Sequence, residues 1–356
     1  LANSMAVTVN AGGSLKLASS EEIASLAGAG AVNLQGNTLT LSGGVDTAYS
    51  GLMSGAGSLV KSGTSVFTLS GANTFSGGVN LSAGAIQVGN DAALGTGTVT
   101  FSGGRISSDS TTGRSVANAF VMSGTLTLGD GTNSGALTLS GNVALGAATT
   151  LTVASAATLS GIVSGAYGLT KAGAAELTLS GVNTFSGPTV VDAGMLTLSG
   201  GSALANSMAV TVNAGGSLKL ASSEEIASLA GAGAVNLQAN TLTLSGGLDT
   251  VYSGLMSGAG SLVKTGTSVF TMSGANTFSG GVNLSAGAIQ VGTNTALGSG
   301  TVTFSGGRIS SESTDARTLA NAFVMSGTVG LGDATNSGTL TLSGNVALGA
   351  ATTLTV

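Results

Sequence analysis

The sequence predicts an all-β chain, a parallel β-helix (β-solenoid) of short strands with about 20 residues per coil. Three observations predict it. Apolar and hydroxylated residues alternate in many short runs, and Leu-Ser-Gly run endings recur at a nearly constant interval. Residues 204–356 also restate residues 1–153 at a fixed offset of 203, without insertion or deletion and with 18 differences over 153 positions.

The alternating runs include Leu39-Thr40-Leu41, Val99-Thr100-Phe101, Leu126-Thr127-Leu128, Leu137-Thr138-Leu139, Leu151-Thr152-Val153, Leu177-Thr178-Leu179 and Leu196-Thr197-Leu198. Period two with β-branched partners is the pattern of a strand with one buried face. Most runs close on Ser-Gly or Gly-Gly, where glycine supplies the positive φ of a tight turn. Leu139, Leu159 and Leu179 open Leu-Ser-Gly endings at equal spacing, and Leu198 opens the next one position early. That interval suits one coil of about three short strands, apolar members inward and Ser, Thr and Asn outward. A narrow core of stacked Leu, Val, Ile and Ala also explains the 3% aromatic content, since a sandwich core more often carries Trp or Tyr. One segment, Ser19 to Ala27, has a Ser cap candidate and early glutamates. A strand with exposed glutamates fits its surroundings better than a helix.

The two copies differ mainly by same-class exchanges: Val45 becomes Leu248, Leu69 becomes Met272, Ser62 becomes Thr265 and Asp109 becomes Glu312. Volume-conserving swaps are those that cores tolerate, so both copies are expected to fold alike. The domain organisation expected is a long repeat over 1–203 and a second, incomplete copy over 204–356, in one continuous solenoid. A structural or adhesive role follows more naturally from such duplication than a catalytic one.

Composition narrows the class. Charged residues are 6%, against roughly 25% in typical soluble domains. There are 61 glycines, one proline and no Trp, Cys or His. Disordered chains are charge-rich and poor in β-branched residues, unlike this one. A membrane helix needs about 20 consecutive apolar residues, and polar residues interrupt every run here. The start, Leu1-Ala2-Asn3-Ser4, lacks the basic and apolar blocks of a signal peptide. Absent cysteine fits secretion without disulfides, though many cytosolic proteins lack it too. The net charge of −5 is spread thinly, and no basic cluster tracks phosphates, so no nucleic acid partner is expected.

Residues 169–196 contain Leu169-Thr170-Lys171-Ala172-Gly173, Leu177-Thr178-Leu179-Ser180-Gly181, Asn183-Thr184-Phe185-Ser186-Gly187 and Val190-Val191-Asp192-Ala193-Gly194-Met195-Leu196. The frame returns from Leu59-Val60-Lys61 through Asn73-Thr74-Phe75 to Gly84-Ala85-Ile86, and from Leu262-Val263-Lys264 through Asn276-Thr277-Phe278 to Gly287-Ala288-Ile289. Each occurrence, along its whole length, closely resembles the autotransporter-associated β-strand repeat, also called the passenger-associated transport repeat. Ala175 and Ser65 stand where the family usually has a second glycine, and Gly78 and Gly281 near its usual threonine, which Thr189 retains. The resemblance implies a right-handed parallel β-helix on a Gram-negative-type cell surface, carried in many relatives by a C-terminal membrane barrel. No barrel is visible in these residues, so the chain is read as a segment of a longer polypeptide.

Within the frame, Asn73, Asn183 and Asn276 are expected at turns, their amides serving backbone groups and stacking on like residues above and below. Phe75, Phe185 and Phe278 are expected to close a coil corner with apolar bulk.

Chemistry is hard to place. Without His, no His-based triad, zinc site or His general base exists, and without Cys no thiol nucleophile. Asp46, Asp91, Asp109 and Asp130 are scattered, unlike the paired carboxylates of glycoside hydrolysis. Glu21-Glu22, repeated as Glu224-Glu225, would face opposite sides of a strand and serve a solvated surface. Asp130-Gly131-Thr132-Asn133 offers oxygens for calcium but does not recur as a nonapeptide. Gly28-Ala29-Gly30 lacks the Lys and the context of a phosphate loop. Arg105, Arg114, Arg308 and Arg317 are expected to pair locally with Asp109 and Glu312. Thr-x-Thr units such as Thr38-Leu39-Thr40, Thr98-Val99-Thr100 and Thr150-Leu151-Thr152 raise the idea of flat threonine ranks that order water, against the plainer reading that threonine suits exposed strands. Catalytic, cofactor-binding and metal-binding residues are therefore expected to be none.

The expected function is a non-catalytic structural segment of a bacterial extracellular or surface fibre, outer-membrane-anchored or released. Its low charge favours self-association, lateral or end-to-end. The alternative is an adhesin stalk that presents a receptor-binding tip, and a third reading is the carrier of an enzyme located elsewhere. No small-molecule substrate is expected. At the expected coil length the 203-residue period makes roughly ten coils and advances about 50 Å.

Overall fold

A computed structural model describes residues 5–205 and 208–356. The start of the duplication at Leu1–Ser4, and its echo at Asn206 and Ser207, lie outside the described residues. Contacts divide the chain into two compact units, Leu1–Phe185 and Ser186–Val356. Among the described residues the regular structure is entirely β-strand, and each unit is a parallel β-solenoid.

Register shows how the first unit is built. Leu39, Leu59, Val79, Val99, Phe120, Val143 and Val163 stack strand upon strand. The step between them is constant except across Val99 to Phe120 and Phe120 to Val143, where it lengthens. A second column runs through Ile23, Leu41, Lys61, Leu81, Phe101, Met122 and Leu145. Between them the residues point outward: Thr40, Val60, Asn80, Thr100, Val121 and Ala144. Inward members are buried, so the period-two pattern is realised as one apolar file per buried position. The predicted coil length holds, and the longer steps accommodate loops near Asp109 and Asp130. The second unit repeats the plan with Leu242, Leu262, Val282, Val302 and Phe323.

Local details follow expectation in part. Ser19 to Ala27 is not helical: Glu21–Ile23 and Ser25–Gly28 are strands, as the preferred reading had it. Some strands are long, such as Phe120–Leu128 and Val143–Val153, because a register shift between Met122 and Gly124 carries them past a corner. Threonine ranks are broken where Thr40 is followed by Val60 and Asn80 before Thr100, so that face presents no continuous threonine file. Thr138, Thr158 and Thr178 do stack.

Candidate functional site

The recurring frame is the part of each unit with the most specific geometry. Its lysine occupies an inward position. Lys61 lies in register with Leu41 and Leu81, and Lys264 with Leu244 and Leu284. Lys61 and Lys171 are 0% exposed and Lys264 1%. A buried ammonium needs acceptors. Lys171 Nζ donates to the carbonyl oxygens of Ala172 at 3.0 Å and Gly173 at 2.7 Å. Lys61 donates to Gly63 and Lys264 to Gly266. Burial pushes Lys171 down to about 8. It lowers Lys61 and Lys264 too, and there Asp46 and Asp249 act in the opposite sense. The sequence shows these lysines as motif letters. Their burial is invisible in it, because a lysine in an alternating run reads as a surface residue.

Asn73 is also buried, and it spans three coils. Its Oδ1 accepts the N–H of Met53 at 2.7 Å, and its Nδ2 donates to the carbonyl of Ala93 at 2.7 Å. Asn276 does the same with Met256 at 2.7 Å and Ala296 at 2.6 Å. Asn183 Oδ1 accepts from Val163 at 2.7 Å. The amides serve backbone groups as expected, but Asn73 and Asn276 do not stack on like residues: Met and Ala occupy the coils below and above. Phe75, Phe185 and Phe278 are 0% exposed and fill corners. Gly95 (φ +67°) packs on Phe75, since a β-carbon there would come within 3.0 Å of the ring, and Gly298 (φ +65°) does so on Phe278 at 3.1 Å.

Two further pins carry no clear sequence signal. Tyr49, fully buried, donates its hydroxyl to Gly30 O at 2.7 Å, and Tyr252 donates to Gly233 O at 2.8 Å. Burial pushes Tyr49 up to about 12 and Tyr252 higher still. Asn118 donates to Gly97 O at 2.7 Å, and Asn321 to Gly300 O at 2.8 Å.

The charged residues follow expectation only in part. Arg114 pairs with Asp109 at 3.1 Å as anticipated. Arg105 instead reaches Asp130 at 2.8 Å, Arg308 reaches Asp333 at 2.6 Å, and Arg317 pairs with Asp315 at 3.3 Å. Parallel stacking sets Arg105 beside Thr127 and Arg308 beside Gly330 on the next coil, which brings Asp130 and Asp333 within reach, whereas Asp315 lies two residues from Arg317 in sequence. Glu312 accepts from Ser273 Oγ at 2.5 Å. Asp130 has its oxygens engaged by Arg105 and by the N–H of Thr132 at 2.8 Å. Its counterpart Asp333 is held below the ordinary carboxylate range by the Thr335 N–H, with Arg308 adding to the effect. Glu21 and Glu22 lie in register with inward Leu39 and outward Thr40, hence on opposite sides. Glu224, however, is not solvated. It is 3% exposed, faces the Leu242 file, and accepts the Ala203 N–H at 3.0 Å, while burial raises its carboxyl above the usual range. Among the described residues no three acidic side chains form a group fit for a metal.

The sequence profile described as Passenger-associated-transport-repeat matches residues 59–88, 169–198 and 262–291. The chain carries passenger-associated transport repeats. Each match opens at the residue two places before the buried lysine and includes the bridging Asn and the corner Phe. Over 278 residues the chain is also 32% identical to Adhesin BmaC autotransporter of Brucella suis biovar 1 (strain 1330). That alignment covers 74% of this chain and 8% of the relative, so the chain spans a small part of the length of the protein it resembles. No solved structure matches. Chemically, the passenger repeats hold backbone to backbone: lysine closes a turn, asparagine links coils, across three of them at Asn73 and Asn276, and phenylalanine fills the corner.

Proposed function

We propose that this chain is a structural segment of a cell-surface or secreted passenger, a non-catalytic solenoid that serves an adhesin as its stalk. The observation that carries the reading is the coincidence of the three passenger repeats with cross-coil pins whose only evident work is to hold the solenoid together. The adhesin relative supports the adhesive context. The 203-residue period is the building module, over 1–203 and 204–356, and the proposal assigns no catalytic, cofactor-binding or metal-binding residue. Anchoring at an outer membrane, followed by retention or release, belongs to the same reading. A second reading, a self-associating fibre, is favoured by the 6% charge content, which leaves little repulsion between flanks.

Electron cryo-tomography of cells that display the parent polypeptide tests both. Separate rods rising from the outer membrane with an axial repeat of about 50 Å fit the stalk. Bundled filaments of that period favour the fibre, and the absence of any elongated object overturns both.

A further inference from the structure

Asp46, Thr47, Ala48, Val66, Thr68 and Gln87 line a shallow groove of about 320 Å³ on the first unit. Parallel register builds it. Ala48, Thr68 and Gln87 stand side by side on three adjacent strands, while their neighbours Tyr49, Phe67, Leu69, Ile86 and Val88 fill the core. Two hydrogen bonds fix the polar groups of the groove. The Val66 N–H donates to Asp46 Oδ1 at 2.7 Å, and Thr68 Oγ1 donates to Gln87 Oε1 at 3.0 Å. The first leaves Asp46 Oδ2 as an acceptor. The second uses the Gln87 carbonyl and leaves the two N–H groups of Nε2 to donate.

The second copy keeps this arrangement. Val269 N–H donates to Asp249 Oδ1 at 2.7 Å, Thr271 Oγ1 donates to Gln290 Oε1 at 3.1 Å, and Val251, Thr271 and Gln290 share the register. Of the 18 differences between the copies, two fall at or beside the groove, Ala48 to Val251 and Val45 to Leu248. Both enlarge an aliphatic side chain, and Val45 and Leu248 are 70% and 67% exposed. Every hydrogen-bonding group has stayed in place while the apolar wall has grown.

A carboxylate acceptor beside an amide donor, with hydroxyls and an aliphatic wall, matches adjacent hydroxyls on a sugar ring. One hydroxyl donates to Asp, its neighbour accepts from Gln, and the C–H face lies on Val and Ala. The groove favours a neutral ligand. The Asp46 carboxylate repels an anion such as phosphate, and Asp249 does the same in the second copy, while the buried ammonium groups of Lys61 and Lys264 near them weaken the pull on a cation. We propose that this groove and its counterpart at Asp249, Thr271 and Gln290 bind a neutral glycan chain. The proposal rests on the surface-passenger reading, which places the groove where glycans are met.

Saturation-transfer NMR and titration calorimetry on the intact chain test it, with maltohexaose, cellohexaose and chitohexaose as probes. At least one probe is expected to bind. The variant D46N/Q87A/D249N/Q290A is expected to weaken that binding roughly tenfold or more. Asn at 46 and 249 retains an acceptor for Val66 and Val269, so an unchanged thermal midpoint is expected and separates lost contacts from lost folding. D46N/Q87A alone is expected to halve the number of sites. Failure of all three probes to bind at roughly millimolar concentration, or binding that survives the fourfold variant, overturns the groove. Either result leaves the surface reading standing if rods are still seen on cells; absent rods would count against that reading whatever the sugars do.

Discussion

The ammonium of Lys61 lies 2.7 Å from the point where a β-carbon on Gly84 would stand, and Lys264 bears the same relation to Gly287 at 2.8 Å. Gly84 (φ +69°) would also bring that carbon to 2.4 Å from the carbonyl oxygens of Gly63 and Ser65. The frame's glycine therefore makes room for its lysine and for the turn that the lysine closes. Gly84→Ala is expected to cost more than the roughly 1–2 kcal/mol of a left-handed backbone alone, because carbonyls of the coil below must move as well. Gly12→Ala is the control: φ is +82°, yet nothing lies within 4 Å of its β-carbon. Urea midpoints of the two variants should differ clearly, with Gly12→Ala the milder.

The buried lysines set an alkaline dependence. Lys171 titrates at about 8 when folded, whereas an unfolded lysine titrates near 10.4. Between those values the unfolded chain binds more protons, so stability rises with pH. Lys61 and Lys264 shift the same way. Tyr49 and Tyr252 act oppositely, since their folded values lie above the unfolded value near 10, and their contribution fades only above it. Urea unfolding from pH 8 to pH 10 should show increasing stability, and Lys171→Met should flatten the rise. A flat profile in the unsubstituted chain would contradict the assignment.

Asn73→Ala removes both partners of a bridge and leaves the Met53 N–H and the Ala93 carbonyl buried without that side chain. A loss of about 3 kcal/mol is expected, from an unmet-group cost of roughly 1–3 kcal/mol each. Hydrogen exchange gives the sharper readout: the Met53 amide should lose protection more than amides one strand away.

Phe75→Ala opens a cavity at a corner where the ring is 0% exposed and in contact with Gly95. A cost of roughly 3–5 kcal/mol is expected, with the same order at Phe185 and Phe278. Phe75→Leu should recover most of it in the same denaturation assay.

Which residues face inward was legible from alternation for Leu39, Leu59 and Val99, because a strand's side chains must alternate. The corner role of Phe75 was legible from its place after Asn73. The inward lysines were not, since alternation assigns a charged residue to solvent, whereas the carbonyls of Ala172 and Gly173 accept from the Lys171 ammonium in the interior. The burial of Glu224 is invisible for the same reason: the N–H of Ala203, one coil earlier in the chain, donates to its carboxylate.

By itself the sequence determined the strand period, the coil length, the 203-residue duplication and the passenger-repeat frame, because these are local or periodic properties of the chain. Tertiary structure decided what spans coils: the Asn73 bridge, the Arg105–Asp130 and Arg308–Asp333 pairs, the Tyr49 and Tyr252 pins, and the Asp46–Thr68–Gln87 groove. The physical reason is that stacking brings residues one coil apart in sequence within hydrogen-bond distance, and which of them meet depends on register at each corner.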